Sequence, residues 1–99
     1  MITHVVLFKF KDENKAANIA TSIERLRAMV GVVPTLRALE VGRHGAPLPR
    51  SLDLALITRF DDQAGLAAYA DHPFHVEVKK FLAGVLETSY VVDFDATVD

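Results

Sequence analysis

The chain has 99 residues, a net charge of −2 and no cysteine. That length is one domain with a modest core, the missing cysteines exclude a disulfide framework and thiol chemistry, and interspersed acids and bases with no basic stripe exclude a nucleic-acid surface. No apolar run is long enough to span a bilayer and no secretory leader precedes the first strand pattern, so a cytoplasmic location is expected.

In chain order, Ile2 to Phe10 is β-branched and aromatic and predicts a strand. One parity carries Ile2, His4, Val6, Phe8 and Phe10, and the other Thr3, Val5, Leu7 and Lys9. Both are apolar until Lys9, as in a strand covered on both sides. Asp12 to Val30 predicts a helix, with Ala16, Ile19, Ile23, Leu26 and Val30 at spacings of three and four and polar residues such as Asn18 and Ser22 mostly elsewhere on the wheel. Asp12 or Asn14 can cap its start, Gly31 can end it, and Pro34 follows as a stop. Leu36 to His44 predicts a second strand, residues 45–51 a loop by their glycine and prolines, and Leu54 to Phe60 a third strand. Asp61 or Asp62 caps a short helix through Ala70, with Leu66 and Tyr69 on its inner side. Pro73 suits the first turn of another helix, carrying His75, Val78, Phe81 and Leu82 to near Gly84. Leu86 to Phe94 predicts a last strand, and residues 96–99 a tail.

The order βαββαβ is the split βαβ, or ferredoxin-like, arrangement of the α+β class, with a four-stranded antiparallel sheet in a single domain over residues 1–99. Helices can cover only one face of such a sheet. The other face takes Val5, Leu7, Ala55 and Ile57, and four strands ~4.8 Å apart and ~20 Å long make a face on the order of 400 Å². An open apolar face of that size is near the limit a soluble monomer tolerates. The hydrophobic content of 51% and the mean hydropathy of +0.22 are high for so small a domain and point the same way. The direct solution is a homodimer through the sheet faces, a dimeric α+β barrel.

The stretch Tyr69-Ala70-Asp71-His72-Pro73-Phe74-His75 gathers two of the four histidines and one of the two tyrosines in seven residues, across a helix break. An imidazole titrates near 6.5, so His75 is suited to act as a general base toward an acidic C–H beside a carbonyl. Tyr69 would hydrogen-bond that carbonyl oxygen and stabilise the enolate. The competing reading is that the two rings satisfy each other or the backbone at a helix junction. His72, held extended by the following proline, is expected to cap the next helix or orient a neighbour. His4 shares its strand face with Val6 and Phe8, which points it toward the helices and toward Tyr69 and His75. His44 and Arg37, Arg43, Arg50 and Arg59 read as solvated. His72 and His75 lack a third ligand nearby, so no metal site is expected, and with no glycine-rich phosphate loop no cofactor is expected either.

Together, His4-x-Val6-x-Phe8-Lys9-Phe10, Glu40-Val41-Gly42, Leu54-Ala55-Leu56, Ala68-Tyr69, His72-Pro73-x-His75 and Val91-Val92-Asp93-Phe94 make the chain resemble the stress-responsive A/B barrel (Dabb, dimeric α+β barrel) family over essentially its whole length. The resemblance implies the ferredoxin-like protomer paired into a dimeric barrel. Some plant members are polyketide cyclases; it implies Tyr69 and His75 as a catalytic pair, with His4 lining the same cavity. Where those cyclases place large aromatic walls, this chain has Ser22, Leu26 and Val78. The leading expectation is a homodimer binding a small, mostly apolar or β-keto ligand between helices and sheet. His4, Tyr69 and His75 would supply the polar contacts, and Val6, Phe8, Leu26, Leu56, Val78 and Leu86 the apolar walls. The rival expectations are a cofactor-free cyclase-like proton-transfer enzyme or, more distantly, a cofactor-free monooxygenase, and a non-catalytic oligomeric stress protein.

Overall fold

A computed structural model of the chain describes residues 1–45 and 48–96. The elements are β1 (Ile2–Phe10), α1 (Lys15–Arg27), β2 (Ala38–Arg43), β3 (Leu54–Phe60), α2 (Gln63–Asp71), α3 (Pro73–Val85) and β4 (Leu86–Asp95). The strands form one antiparallel sheet in the order β2-β3-β1-β4. This is the ferredoxin-like βαββαβ topology: each helical crossover skips one strand, so β1 and β3 lie at the centre. Positions Ala46 and Pro47 of the expected loop, and 97–99 of the expected tail, lie outside the described residues.

Strand periodicity decides which face is core. Val6, Phe8 and Phe10 of β1 alternate with exposed positions, and in β3 Leu54, Leu56 and Phe60 are buried while Ala55, Ile57 and Arg59 are only partly so. These side chains pack under the helices against Ile19, Leu26, Tyr69, Val78 and Leu82.

Local chemistry sets the element ends. The Asp62 side chain accepts from the Gly65 N–H at 2.8 Å and caps α2. His72 is extended, with φ −63° and ψ 134°, and its Nδ1 accepts the Phe74 N–H at 3.1 Å to cap α3, while Pro73 fills the first turn without needing a donor.

The first helix departs from expectation. It spans Lys15–Arg27 rather than Asp12–Val30; Asn14 occupies its N-cap in the left-handed conformation at φ 53°, and its side chain makes no cap hydrogen bond. Beyond Arg27 the chain tightens into turns, with Val30 N–H donating to Arg27 O and Val33 N–H to Met29 O. Those turns rotate Met29 into the core and leave Val30 59% exposed, the reverse of the helical-wheel expectation. Gly31 does adopt a positive φ of 82°, inside this turn segment rather than at the helix end. Ser22, placed by sequence off the apolar stripe, is fully buried; its hydroxyl donates to the Asn18 carbonyl one turn back at 2.7 Å, which satisfies it without water. The second strand begins at Ala38, not Leu36, because Leu36 still closes a turn onto the Val33 carbonyl.

The helices leave the second face of the sheet bare. Val5 pairs with Val92, Leu7 with Tyr90 and Thr3 with Phe94, and that row stands on the face opposite the helices. Leu7 is 38% exposed, Tyr90 58%, Val92 57% and Phe94 49%. Ion pairs fringe this apolar centre: Lys9–Glu87 at 3.4 Å at one end and Arg59–Glu40 at 3.1 Å toward the other. An apolar middle with a charged rim is the anatomy of a protein interface.

Asp62→Ala removes the α2 cap. It is expected to cost about 1 kcal/mol, which lowers the thermal midpoint of a domain this size by roughly 4–8 °C; an unchanged melting curve would show that the cap contributes nothing.

Candidate functional site

The helix break at His72-Pro73 brings the two rings together. Tyr69 lies in the last turn of α2 and His75 in the first turn of α3, and the turn between them tilts the rings against each other with 4.3 Å between centroids. The terminal carbonyls of a helix lack intrahelical donors. His75 meets one of them: its Nδ1 lies 3.0 Å from the Ala70 carbonyl oxygen. A carbonyl only accepts, so this nitrogen carries the proton and Nε2 is left with its lone pair. Burial is the main influence on the imidazole and lowers its pKa from the ordinary 6.5; the hydrogen bond to Ala70 opposes that, and the charges of Lys79, His4 and His72 add to the lowering. The ring is therefore neutral at neutral pH, with a basic nitrogen available.

Tyr69 is almost wholly buried, and that burial pushes its phenol well above its ordinary value of 10. It stays protonated and can only donate or accept as a neutral hydroxyl. Phe60 supports one side of the ring at 4.9 Å, and His4 approaches edge-on at 6.3 Å. The His4 Nδ1 is held by the Asp93 carboxylate across the β1–β4 ladder, which orients that ring as well.

These three rings sit at one end of a cavity of about 470 Å³ between the helices and the sheet. β1 contributes His4, Val6 and Phe8; α1 contributes Leu26; β3 contributes Leu56; α2 contributes Tyr69; α3 contributes His75 and Val78; and Leu86 closes the far side. Ser22 is not among the lining residues; it is fully buried, with its hydroxyl donating to the Asn18 carbonyl. The lining also includes Leu66, Ala70, Lys79, Leu82, Ala83, Thr88, Ser89 and Val91, which were not singled out from the sequence as walls. A signal for part of this set exists: His75, Val78, Lys79, Leu82 and Ala83 fall at helical spacing on one face of α3. Thr88, Ser89 and Val91 depend on the register of β4 against β1, which no local pattern encodes.

The geometry offers a neutral base nitrogen and a neutral phenol beside an apolar chamber. It can hold an uncharged molecule by its carbonyl or hydroxyl, and a basic nitrogen next to such a group can take a proton from an adjacent acidic carbon. Among the described residues no cluster of three histidine, aspartate or glutamate side chains could hold a metal ion. The Nδ1 atoms of His72 and His75 are already engaged by the Phe74 N–H and the Ala70 carbonyl. No helix among the described residues is long and apolar enough to cross a membrane.

A four-stranded ferredoxin-like sheet with one helical layer, one bare face and a cavity under the helices defines the α+β barrel class. The chain belongs to the Stress responsive A/B Barrel Domain (Dabb) family, whose model it matches over residues 2–96. It is similar to two stress-response A/B barrel domain-containing proteins of Arabidopsis thaliana. The first is 32% identical over 80 residues; the match takes in 81% of this chain but only 30% of that longer protein. The second is 26% identical over 91 residues, with 92% of this chain and 82% of that protein covered. Among solved structures, a dimeric ferredoxin-like protein of unknown function from Bacteroides fragilis superimposes with a TM-score of 0.86 at 32% identity, covering 95% of this chain and 94% of that one.

Burial of a histidine with a lowered pKa carries a pH signature. The folded state resists protonating His75 while the unfolded chain does not, so this contribution is present above the ordinary value of 6.5 and is lost as the pH falls from there toward the lowered value. In thermal melts at about pH 7.5 and about pH 5.5, the native protein is expected to lose more stability on acidification than His75→Gln. Equal losses would show that the ring is solvated as in the unfolded chain.

Proposed function

We propose that the protein works as a cytoplasmic homodimer paired through the bare sheet face, and that each protomer binds a small, mostly apolar molecule in its helix-side cavity. The observation that carries the binding reading is the convergence of Tyr69, His75 and His4 at one end of an otherwise apolar chamber of about 470 Å³, a volume within the usual range of small-molecule sites. The bare apolar centre with its charged fringe supports the dimer, as does the dimeric state given for the Bacteroides fragilis relative.

In this reading the ligand's apolar part lies along Val6, Phe8, Leu26, Leu56, Val78 and Leu86. Its carbonyl or hydroxyl takes a hydrogen bond from Tyr69, or its hydroxyl gives one to His75 Nε2. A screen of small alkyl β-diketones and alkyl phenols by thermal shift tests it, because a ligand bound only to the native state raises the midpoint by mass action. At least one class is expected to raise the midpoint. Val78→Trp, which fills the chamber, is expected to abolish that rise while the protein stays folded. A rise that survives in Val78→Trp would place binding elsewhere, and no rise from any compound would remove the reading.

A second reading is favoured by one specific observation: the hydrogen bond to Ala70 presents His75 as a neutral base through Nε2, beside a phenol that stays protonated. That pairing suits cofactor-free proton abstraction next to a carbonyl, with Tyr69 stabilising the enolate oxygen. For a bound β-diketone, exchange of the central C–H for deuterium in D₂O measures this step. His75→Ala is expected to reduce the protein-dependent rate by about 10²-fold or more. Tyr69→Phe is expected to lower it as well while leaving binding of the alkyl part intact. Exchange unaffected by His75→Ala would leave the site as a binding pocket alone.

A further inference from the structure

We infer that the chamber takes amphipathic carboxylic acids: the apolar chain lies inside, and the ionised carboxylate rests at the mouth between Lys79 on α3 and Ser89 on β4. The inference rests on the chamber being a binding site and deepens that reading by naming the head group of what it holds.

The exposed part of the lining marks where the chamber opens. Leu26, Leu56, Tyr69 and Val78 are buried. The exposed lining residues are Ala70 at the end of α2, Lys79 and Ala83 on α3, and Ser89 and Val91 on β4. The mouth is therefore a slot between α3 and β4. Ser89 stands on the helical side of its strand, because it pairs with buried Phe8 across the β1–β4 ladder. Among the described lining residues, Lys79 is the only lysine, arginine, aspartate or glutamate. Its ammonium also lacks what the other lysines have. Lys9 pairs with Glu87, Lys15 with Asp12 and Asp53, and Lys80 with Glu77, while Lys11 donates to the Gly84 carbonyl. Lys79 has no carboxylate or carbonyl partner among the described residues. Its neighbours three and four residues away along α3 are His75, Val76, Leu82 and Ala83, none of them acidic. The charge is nonetheless felt inside the site, where it is one of those that lower the pKa of His75 one turn back.

A lone cation on the rim of an apolar chamber favours an anion at the rim and not deeper. The inner end offers the neutral rings of Tyr69 and His75. An ionised carboxylate moved among them would lose its water and gain no counter-charge. At the mouth the same carboxylate keeps part of its hydration, faces the Lys79 ammonium and can accept from the Ser89 hydroxyl. One ammonium balances one negative charge, which is what a carboxylate carries at neutral pH. The attached chain then runs inward past Val78 toward Leu26 and Leu56, where burying each methylene is favourable.

Isothermal titration calorimetry with sodium octanoate and with octan-2-one, which has a similar chain and no charge, tests the head group. Both are expected to bind the native protein, and Val78→Trp is expected to abolish both. If Val78→Trp does not fold, Val78→Phe takes its place. Lys79→Met keeps an apolar stem and removes the charge; it is expected to weaken octanoate about fivefold and octan-2-one by less than about twofold. Lys79→Glu is expected to weaken octanoate at least about tenfold, and Ser89→Ala about threefold. Raising sodium chloride from about 20 mM to about 500 mM is expected to weaken octanoate about threefold on the native protein and to leave it unchanged on Lys79→Met. Circular dichroism checks that each variant keeps the fold. Native octanoate affinity in both Lys79 variants would overturn the choice of an acid, while octan-2-one binding would leave the chamber reading standing. Binding of neither compound, or binding of both that survives the Val78 variant, would overturn the chamber reading and the head group with it.

Discussion

A sheet has two faces and this chain has helices for one. That constraint orders the rest of the molecule. Burying the parity of Val6, Phe8 and Phe10 under α1, α2 and α3 stabilises the protomer, and it forces the opposite parity, Val5, Leu7, Ile57, Tyr90, Val92 and Phe94, to stand without cover. The helical layer covers β4 least: Val91, on the helical side of that strand, is 58% exposed where it lines the cavity. Fold and bare face are thus consequences of one mismatch between two sheet faces and a single layer of helices.

The site itself depends on a break of one residue. Pro73 cannot continue α2, and it holds His72 extended; the chain turns, and α3 begins with its cap supplied by the His72 ring. The turn places His75 against the end of α2, where the Ala70 carbonyl fixes its tautomer. A single capping interaction therefore does two things: it satisfies a helix end and it leaves a lone pair directed away from the backbone. Tyr69, wedged between Phe60 and His75, is kept neutral by the same burial that makes the chamber apolar. His4 is tied to β4 through Asp93, so the third ring is positioned by the strand whose outer side is open.

Much of this was legible in the residues. The element order, the strand parities, the Asp62 cap and the capping role of His72 follow from local rules that act over a few residues: side-chain alternation, helix-end hydrogen bonding, and the fixed φ of proline. The grouping of Tyr69, His72 and His75 was visible for the same reason. The errors fell where local rules compete with packing. Val30 continues the helical stripe of α1 in sequence, but the chain gains more by tightening after Arg27 and burying the longer Met29. Ser22 falls off the apolar stripe of the helical wheel, yet a hydroxyl that can donate to the carbonyl one turn back costs little to bury.

What the sequence determined by itself is the set of elements and the side of each that seeks an apolar neighbour, because period 2 and period 3.6 are written in consecutive residues. What only the tertiary structure decided is where the helical layer stops across the sheet. The pairing of β4 with β1, the exposure of Val91 and the Asp93 contact to His4 all depend on residues from opposite ends of the chain meeting. Register over such a distance is set by how the whole core packs, and no run of neighbouring side chains carries it.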